Sequence, residues 1–549
     1  DSGFDNLTIP ITVTAAAPQL GGTMTRLEGI DFHENAAQTG SYSIPPDPMA
    51  AVGPEHLVSV VNTSIEWDLK ESVRESPGFP QFSSSLQDFF APLSPINTTF
   101  DPKVIFDSVS ERFIVVTLER QLAPFGDPVN SSRILLAVSD DADPNGNWHF
   151  QSINSRLNIG GVDYWADDPG IAVDDEAIYV TNNMFTFDHT GSAGSRLWIV
   201  EKAGLYAGGS GAVTVHDPWA SLGLPNATTQ PAVTYSGDGA GGFGTYLAVY
   251  SGLSNGTSEF LQIARIDNPL DAGGPTFTGH QIPLGDIDDT TIEMPNAPQP
   301  NDGIDIETND RRSLDAVYRD GQLYVATTVV PGTGADAGQA TAHWIQIDTT
   351  NAASPTLAAQ GSIGGSDVDP AAHTYFPSVA VDKLGNVAVG YSLSSPNHYG
   401  SMCYALPDGS GNPTSHPVII GEGTYELVGG TRNRWCDYTG MVIDPADELT
   451  FWAFNEYAKR DAFENTVWGT SYAAFSPSVP LVTLPAAGGT TNIALDGSDL
   501  VVYPGSLASS PTIFSREPLA SISGIAVRGS TDSDNIYVDL AGLTLTSLP

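Results

Sequence analysis

The sequence predicts an all-β protein, organised as a seven-bladed β-propeller followed by a small C-terminal β domain. Apolar residues at helical spacing are nearly absent along the 549 residues. Short runs of alternating or β-branched apolar residues, separated by Gly, Pro, Asn and Asp, fill most of the chain instead. A two-strand apolar pattern also recurs seven times, which favours one propeller ring; two β-sandwiches in tandem are the alternative architecture.

Each copy of the repeat has a small or Pro residue, an apolar strand, a polar turn and a second apolar strand. One copy reads DPGIAVDDEAIYVTNN from Asp168, and another reads FPSVAVDKLGNVAVGYSL from Phe376. We expect the first strand to line the central channel and the second to pair with it as a hairpin. One four-stranded sheet cannot bury both of its faces, so blades must stack until the ring closes. The copies begin at Asp47, Asp101, Asp168, Gln230, Arg312, Phe376 and Tyr438.

Two segments lie outside the repeats and complete the predicted domain organisation. Residues 1–45 form an N-terminal extension whose strand-like run, Leu7–Thr14, is expected to complete the last blade and close the ring. Residues 46–475 form the propeller. Residues 476–549 follow a Pro- and Ser-containing linker and form a small β domain of short strands separated by Gly and Asp turns.

The charge balance excludes some partners and favours others. The chain carries 64 Asp and Glu against 21 Lys and Arg, a net charge of −43. Such a surface repels nucleic-acid phosphates, so we expect no nucleic-acid partner. No apolar run reaches the roughly 18 residues of a membrane span. The chain opens with Asp1 rather than Met, and we expect it to be exported, as a secreted or cell-surface protein.

Residues immediately before each first strand are expected to converge at one mouth of the channel, the usual ligand face of a propeller. Converging carboxylates are costly unless a cation is present, and oxygen ligands suit Ca²⁺, so we predict a structural calcium site there. The alternative is that each Asp caps a turn before Pro. A second acidic run, NDGIDIETNDRR, has a spacing that resembles a calcium loop. The candidate ligands are Asp47, Asp101, Asp168 and Asp437 at the mouth, and Asp302, Asp305 and Asp310 in the run.

The same mouth contains candidates for ligand binding and for catalysis. Aromatic rings stack on sugars, and guanidinium groups pair with carboxylates, which selects Trp165, Arg312, Trp435 and Tyr438 as ligand-binding residues. A polysaccharide lyase needs a base, an acid and a group that neutralises a uronate carboxylate, which selects His373, Tyr375 and Arg434. A glycosidase would instead use paired carboxylates such as Asp167 and Asp437. For the aromatic and histidine residues, packing between blades is the alternative.

The chain has two cysteines, Cys403 and Cys436. In an oxidising compartment they are expected to form a disulfide, and two buried free thiols are the alternative.

Some motifs also resemble known families. VSDDADPNGNWHF resembles a relaxed Asp-box of sialidase-like propellers, with Ser139, Asp141, Gly146 and Trp148 at the matching positions. In that family the box is a structural turn at the blade edge. The chain also resembles uncharacterised secreted bacterial propellers, through WADDPGIAVDDEAIYVTNN and RNRWCDYTGMVIDPADELTFWAFNEY. Its C-terminal strands resemble the coils of β-helical repeats in large secreted bacterial proteins. Sialidase chemistry would need an arginine early in the first blade, where residues 25–60 offer only Arg26.

These observations predict an extracellular binding or adhesion module, which recognises a glycan or a protein through its channel face and is stabilised by calcium. No complete catalytic motif is present in the sequence. The alternative is a secreted carbohydrate-active enzyme, a polysaccharide lyase or a glycoside hydrolase, acting at the same face.

Overall fold

The computed structural model describes residues 25–70, 80–123, 126–235, 242–407, 413, 415–427 and 432–476, together with six short strands between 481 and 538. The chain divides into two compact units: the first is Arg26–Ala474, and the second combines Asp1–Thr25 with Phe475–Pro549. The strand-like run Leu7–Thr14 lies outside the described residues.

The unit Arg26–Ala474 is a seven-bladed β-propeller, as the repeat predicts. Each blade is an antiparallel sheet whose innermost strand begins at or near the start of one sequence copy, so tandem β-sandwiches are excluded. The innermost strands of blades 1 to 7 are Met49–Val52, Phe100–Asp107, Val162–Val173, Gln230–Pro231, Ser313–Arg319, His373–Val381 and Gly440–Ile443.

The other strands follow in order from the channel to the rim. The second strands are His56–Val61, Arg112–Gln121, Ala177–Thr186, Phe243–Val249, Gln322–Val329, Val387–Ser395 and Phe451–Arg460. The third strands are Ser64–Leu69, Ser131–Ser139, Ser192–Glu201, Glu259–Asp267, Thr341–Asp348, His398–Ala405 and Thr466–Phe475. The outer strands are Phe82–Ser85, Trp148–Asn154, Val213–His216, Thr276–Gly285, Thr356–Ile363, His416–Ile419 and Thr25–Glu28.

A few short elements decorate this plan. Leu157–Ile159 adds a strand at the inner edge of blade 3, and Val233–Thr234 pairs in parallel with the inner strand of blade 5. Described helices occupy connections between strands: Phe32–Thr39, Leu86–Phe89, Lys202–Tyr206 and Pro218–Leu222, with a 3₁₀ turn at Ala91–Leu93. The first helix is held by a capping box between Asp31 and Glu34.

Apolar side chains fill the spaces between neighbouring blades. Ile114 of blade 2 packs in one cluster with Val180 of blade 3, and Val325 of blade 5 packs in another with Leu261 of blade 4. The second strands are accordingly apolar on both faces, and every residue of His56–Val61 is buried. This stacking explains why the sequence shows β-branched runs more often than strict alternation.

The ring is closed by strands from both ends of the unit. Thr25–Glu28 is the outer strand of blade 7, beside Thr466–Phe475. Ser471 Oγ donates to the Leu27 carbonyl at 2.7 Å, a contact between residues 444 positions apart. Blade 1 is also tied to blade 7 by an ion pair, because Lys70 Nζ lies 2.9 Å from both carboxylate oxygens of Asp444.

The segment from Ser139 to Trp148 is the turn between the third and outer strands of blade 2. Trp148 Nε1 donates to the Pro144 carbonyl at 2.9 Å, which fixes the turn. Asn145 extends to the neighbouring blade, where its Oδ1 accepts from Trp67 Nε1 at 2.9 Å. The turn therefore has a structural role at the blade edge and links blade 2 to blade 1.

The structure corrects the predicted disulfide, because both cysteines are free and buried. Cys403 lies in the apolar layer between blades 5 and 6, with Tyr391. Cys436 lies in a different cluster, with Tyr425 and Trp435. Burial raises the pKa of both thiols, which suits neutral packing side chains.

The second unit contains two small sheets. Leu481–Thr483 pairs in parallel with Ala526–Arg528, and Ser515–Pro518, Asp499–Pro504, Gly489–Asp496 and Asp534–Val538 form the other sheet in that order. Only two residues separate Gly489–Asp496 from Asp499–Pro504, a spacing that allows only an antiparallel hairpin. Gly489–Asp496 also pairs in parallel with Asp534–Val538, so the second unit contains parallel and antiparallel pairs, and its β-helix-like character stays a prediction.

The two buried free thiols predict how the cysteines react with a thiol reagent. In the native protein a thiol reagent should react slowly with both cysteines, and in denaturant without reductant it should find two thiols per chain. The reason is that both side chains are 1% exposed and unpaired. Finding no thiols after denaturation would show that a disulfide forms in spite of this packing.

The ion pair that closes the ring should contribute to stability. Lys70→Met leaves a buried carboxylate at Asp444 without its cation, so we expect the free energy of unfolding to fall by about 3 kcal/mol. The matched control Lys383→Met removes an exposed lysine and should change it by less than about 1 kcal/mol. Urea unfolding of both variants measures the change in the free energy of unfolding. Equal changes in the two variants would show that the ion pair does not stabilise the ring.

Candidate functional site

Three aspartates enter the inner strands through a backbone conformation that is unusual for them. Asp47, Asp101 and Asp168 each precede Pro and have φ of 46°, 48° and 49°, and Phe376 before Pro377 has φ of 50°. Non-glycine residues rarely adopt this left-handed conformation, and it persists only where the surroundings hold it. In blades 2, 3 and 6 the strand register shifts at the same step. The repeat thus presents its first side chain at the channel mouth.

Carboxylates at this mouth accept hydrogen bonds from the backbone of other blades. Asp47 Oδ1 accepts from the Asp437 amide at 2.6 Å, and Asp101 Oδ2 accepts from the Asp168 amide at 3.2 Å. Asn62 joins two blades, since its Nδ2 donates to Asp47 and its Oδ1 accepts from the Asp101 amide at 2.7 Å. These contacts bring residues from blades 1, 2, 3 and 7 together.

Arginines compensate the remaining carboxylate charge. Arg312 Nη1 lies 2.6 Å from Asp168 Oδ2, and its other nitrogens donate to Asp310 at 2.8 and 2.9 Å. Arg434 Nη2 lies 2.5 Å from Asp437 Oδ2. Arg312 begins the fifth copy of the repeat and Arg434 lies just before the seventh, so two different blades supply the two cations.

An open cavity of about 190 Å³ lies above these groups, and we call it the axial basin. Two long connections, 286–312 and the described residues of 420–439, meet at its rim, where Arg432 Nη2 lies 2.8 Å from Glu307 Oε1. The lining is mostly polar, with Phe185 as a half-buried aromatic side chain. Its residues are Asp101, Asp167, Asp168, Asn183, Phe185, Glu307, Asn309, Arg312, Phe376, Arg432, Arg434, Trp435, Cys436 and Asp437.

Burial holds several of these carboxyls in the protonated form at higher pH than usual. Burial raises the pKa of Asp47 and of Asp101 well above the ordinary value, and nearby carboxylates add to the effect. It raises the pKa of Asp167 to about 6, although Asp101 lies within hydrogen-bonding reach of its carboxylate and opposes the rise. Burial works against the charge of Arg312, but Asp168 and Asp310 outweigh it and raise its pKa. The basin thus combines carboxyls whose pKa is raised by burial with fixed ion pairs.

The structure brings together the four aspartates predicted as calcium ligands at the mouth, Asp47, Asp101, Asp168 and Asp437. Each is already compensated by a backbone amide, an amide side chain or an arginine. Among the described residues, no group of three or more acidic, histidine or cysteine side chains has the arrangement of an ion site. Hydrogen-bond donors of the protein therefore compensate these carboxylates where a cation was expected to do so. The geometry gives no support to the calcium site, which stays a prediction.

The residues of the acidic run do not share one role. Asp310 joins the basin through Arg312. Asp302 and Asp305 are exposed in the long connection between blades 4 and 5 and do not line the basin. Asp302, Asp305 and Asp310 are therefore close in the sequence but do not form a common site in the structure.

The predicted aromatic platforms are packing residues. Trp165 is 3% exposed, and the Arg120 guanidinium covers its ring at 3.7 Å. Trp435 is fully buried and its Nε1 donates to Ser392 at 3.0 Å. Tyr438 is also buried, with its hydroxyl donating to the Pro102 carbonyl at 2.7 Å. Of the four predicted ligand-binding residues, only Arg312 presents polar atoms to the basin.

The predicted lyase trio is not brought together. Tyr375 is fully buried, its hydroxyl donates to Ser394 at 3.1 Å, and burial raises its pKa. His373 Nδ1 accepts from the Ala340 amide at 3.2 Å, and burial lowers its pKa to about 4. Of the three, Arg434 alone lines the basin. A carboxylate pair, Asp167 and Asp437, does line it.

Sequence reasoning missed three polar residues near the mouth: Asn62, Lys103 and Arg120. Each lies in or beside a strand that is mostly buried and contains an apolar run, as in DPKVIFD and FIVVTLERQ. A charged or amide side chain inside such a run is the signal that would have revealed them, because it needs a partner when the strand is buried.

The raised pKa of Asp167 predicts how stability depends on pH. Between the ordinary carboxyl pKa and about 6, the folded state binds more protons than the unfolded state, so stability falls as pH rises through this window. Asp167→Asn should remove part of this slope and raise the melting temperature at pH 7. The exposed control Asp175→Asn should follow the wild type. Melting curves from pH 4 to 8 test this, and parallel curves for all three proteins would refute it.

Several solved structures align with this chain. A protein of unknown function from Dyadobacter fermentans aligns with a TM-score of 0.36 and 10% identity, over 69% of this chain and 94% of its own. Trypanosoma rangeli sialidase aligns with a TM-score of 0.34 and 10% identity, over 69% of this chain and 54% of its own. An exo-1,5-α-L-arabinanase from a bovine ruminal metagenomic library aligns with a TM-score of 0.27 and 15% identity, over 57% of this chain and 95% of its own. No protein-family model and no curated protein matches the sequence. Of the helices in the described part of the chain, none has the length and hydropathy to cross a bilayer.

Proposed function

We propose that the axial basin binds a glycan and that the protein acts as an extracellular carbohydrate-binding module. The observation that supports this most directly is the lining of the basin, in which five carboxyl groups, three guanidinium groups and two amides surround one open cavity. Sugar hydroxyls both donate and accept hydrogen bonds, so they match a surface that offers acceptors and donors side by side.

The charge of the basin narrows the class of glycan. All three lining arginines are already engaged, Arg312 with Asp168, Arg434 with Asp437 and Arg432 with Glu307. A uronate or sialate carboxylate would have to displace one of these partners and would face the remaining carboxylates. Neutral sugars and amino sugars meet no such opposition. We therefore propose a neutral or amino sugar as the preferred ligand.

Glycoside hydrolysis is the second candidate. The observation that favours it is the difference between neighbouring carboxyls: the pKa of Asp167 is raised to about 6, while Asp168 is fixed in an ion pair with Arg312. Glycosidases need one carboxyl that can donate a proton and another that stays ionised. Asp167 would be the proton donor. Binding remains the first proposal, because the sequence contains no complete catalytic motif.

An affinity screen over neutral, amino and acidic oligosaccharides tests the binding proposal. Arg312→Gln and Arg434→Gln should each lower the affinity for the best-binding oligosaccharide by about 10- to 100-fold, because each removes a hydrogen bond between the sugar and a charged group. Arg156→Gln, an exposed arginine paired with Asp163, is the matched control and should bind as the wild type does. Repeating the titration with Ca²⁺ and with a chelator tests whether an ion contributes.

Following new reducing ends in the same screen separates the two candidates. Turnover that Asp167→Asn abolishes while binding survives would replace the binding module with a hydrolase. Binding of acidic glycans alone would contradict the charge argument. If no oligosaccharide binds or is cleaved, the glycan proposal fails and a protein ligand becomes the remaining interpretation of the channel face.

A further inference from the structure

A cavity of about 330 Å³ lies where blade 1 meets blade 7, and we call it the seam pocket. Strands of both blades and the helix Phe32–Thr39, which connects them, contribute to its wall. None of its described lining residues belongs to the axial basin. A concavity of this size is large enough for a small organic molecule.

Two strands of blade 1 present one common face to this pocket. Ser59 is paired with Glu66 across these strands, and the next pair on the same face is Leu57 with Asp68. Tyr472 of blade 7 meets this face, with its hydroxyl 2.7 Å from Ser59 Oγ and 3.3 Å from Glu66 Oε1. The Glu66 carboxyl is thus held between two blades in the wall of the pocket.

Carboxyl groups outnumber cations in this wall. Among the described residues Lys459 is the only lining cation, and its Nζ already lies 3.0 Å from Asp31 Oδ2 and 3.4 Å from Glu28 Oε2. Burial raises the pKa of Glu66 to about 8, and the carboxylate of Glu34 adds to the rise. A further cation in the pocket would relieve this repulsion. The lining carboxyls are those of Glu28, Glu34, Glu66 and Asp68.

A second observation, independent of the charge, concerns Gln38 in the helix. Gln38 lines the pocket one turn after Glu34, on the same face of the helix, and its Nε2 donates to Ser83 Oγ of blade 1. Its Oε1 is buried and accepts no hydrogen bond from any residue that the structure describes. A buried acceptor without a donor is unfavourable, so this oxygen points to a ligand that carries an N–H or O–H group.

We infer that the seam pocket binds a primary organic ammonium ion, held by the lining carboxylates and by Gln38 Oε1, with its apolar part against Leu57. A primary ammonium supplies three N–H donors together with a positive charge, so it matches the amide oxygen and the carboxylates at once. A hydroxyl compound brings a donor without the charge, and an organic anion would face the carboxylates.

A metal ion fits this wall less well than an organic cation. In the described part of the chain, no three or more acidic, histidine or cysteine side chains are gathered in the arrangement that an ion needs. The seam pocket is also independent of the glycan proposal, because the two cavities have different walls.

Four compounds of similar size test the inference by equilibrium dialysis against the whole protein: phenethylammonium, its trimethylammonium analogue, phenethyl alcohol and phenylpropionate. The dialysis uses about 0.15 M NaCl, which screens non-specific attraction to an acidic surface. We expect saturable binding of one phenethylammonium per chain, at least about tenfold tighter than each of the other three. The trimethyl analogue keeps the charge without an N–H donor, and the alcohol keeps a donor without the charge.

Variants of the wall locate the binding. Ala37→Trp fills the pocket from the helix and should abolish saturable binding, whereas Ala220→Trp, at an exposed helical alanine outside the pocket, should not. Glu66→Gln should lower the affinity for phenethylammonium by about tenfold, and the exposed control Glu293→Gln should leave it unchanged. Gln38→Leu should reduce the preference for the primary ammonium over its trimethyl analogue.

Several results would overturn the inference. They are an absence of saturable phenethylammonium binding, equal affinity for the trimethyl analogue or the alcohol, binding that survives Ala37→Trp, or displacement of the ligand by an equal concentration of CaCl₂. Melting curves confirm that each variant is folded before it is used. If Glu66→Gln does not fold, the two alanine variants and the four compounds still decide the result.

Discussion

The architecture depends on aspartates that accept backbone hydrogen bonds from another blade beside the channel. Asp47 bonds the amide of Asp437, Asp101 bonds that of Asp168, and Asp315 bonds that of Val379. A backbone amide cannot move without its strand, so each bond fixes the position of one inner strand against another. The apolar layers between blades are non-directional by comparison. The carboxylates supply the directional contacts that define how the innermost strands meet.

This arrangement gives the channel its chemical character. Carboxyls that hold blades together must lie close to one another, and burial then raises the pKa of Asp47 and Asp101. Arg312 and Arg434 reduce the remaining repulsion from the basin side, and Lys103 lies deeper in the channel. The groups available for ligand binding are thus the same groups that stabilise the ring. The glycan binding that we propose for the basin would use polar atoms that are already oriented, which would limit the entropy lost on binding.

Much of the fold was predictable, and less of the site. The repeat identified each inner strand, because apolar runs and turn residues reflect local rules that act within one blade. It also placed Asp47, Asp101, Asp168 and Asp437 at one mouth. The repeat did not predict that Trp165, Trp435 and Tyr375 are buried. The exposure of an aromatic ring depends on which neighbouring blade covers it, and the spacing of residues in the sequence carries no such information. The roles of Lys103 and Asn62 were equally hidden, since their partners belong to other repeats.

The outer strand Thr25–Glu28 has a consequence for biosynthesis. It belongs to the sheet of Phe451–Arg460 and Thr466–Phe475, which leave the ribosome more than four hundred residues later. Until then this segment has no sheet to join, and the nascent blades form an open arc with two uncovered ends. Completion of the circle is therefore a late, non-local event, of the kind that slows folding and exposes sheet edges to aggregation. Once joined, the two termini of the ring hold each other, so unravelling from either end first requires this seam to open.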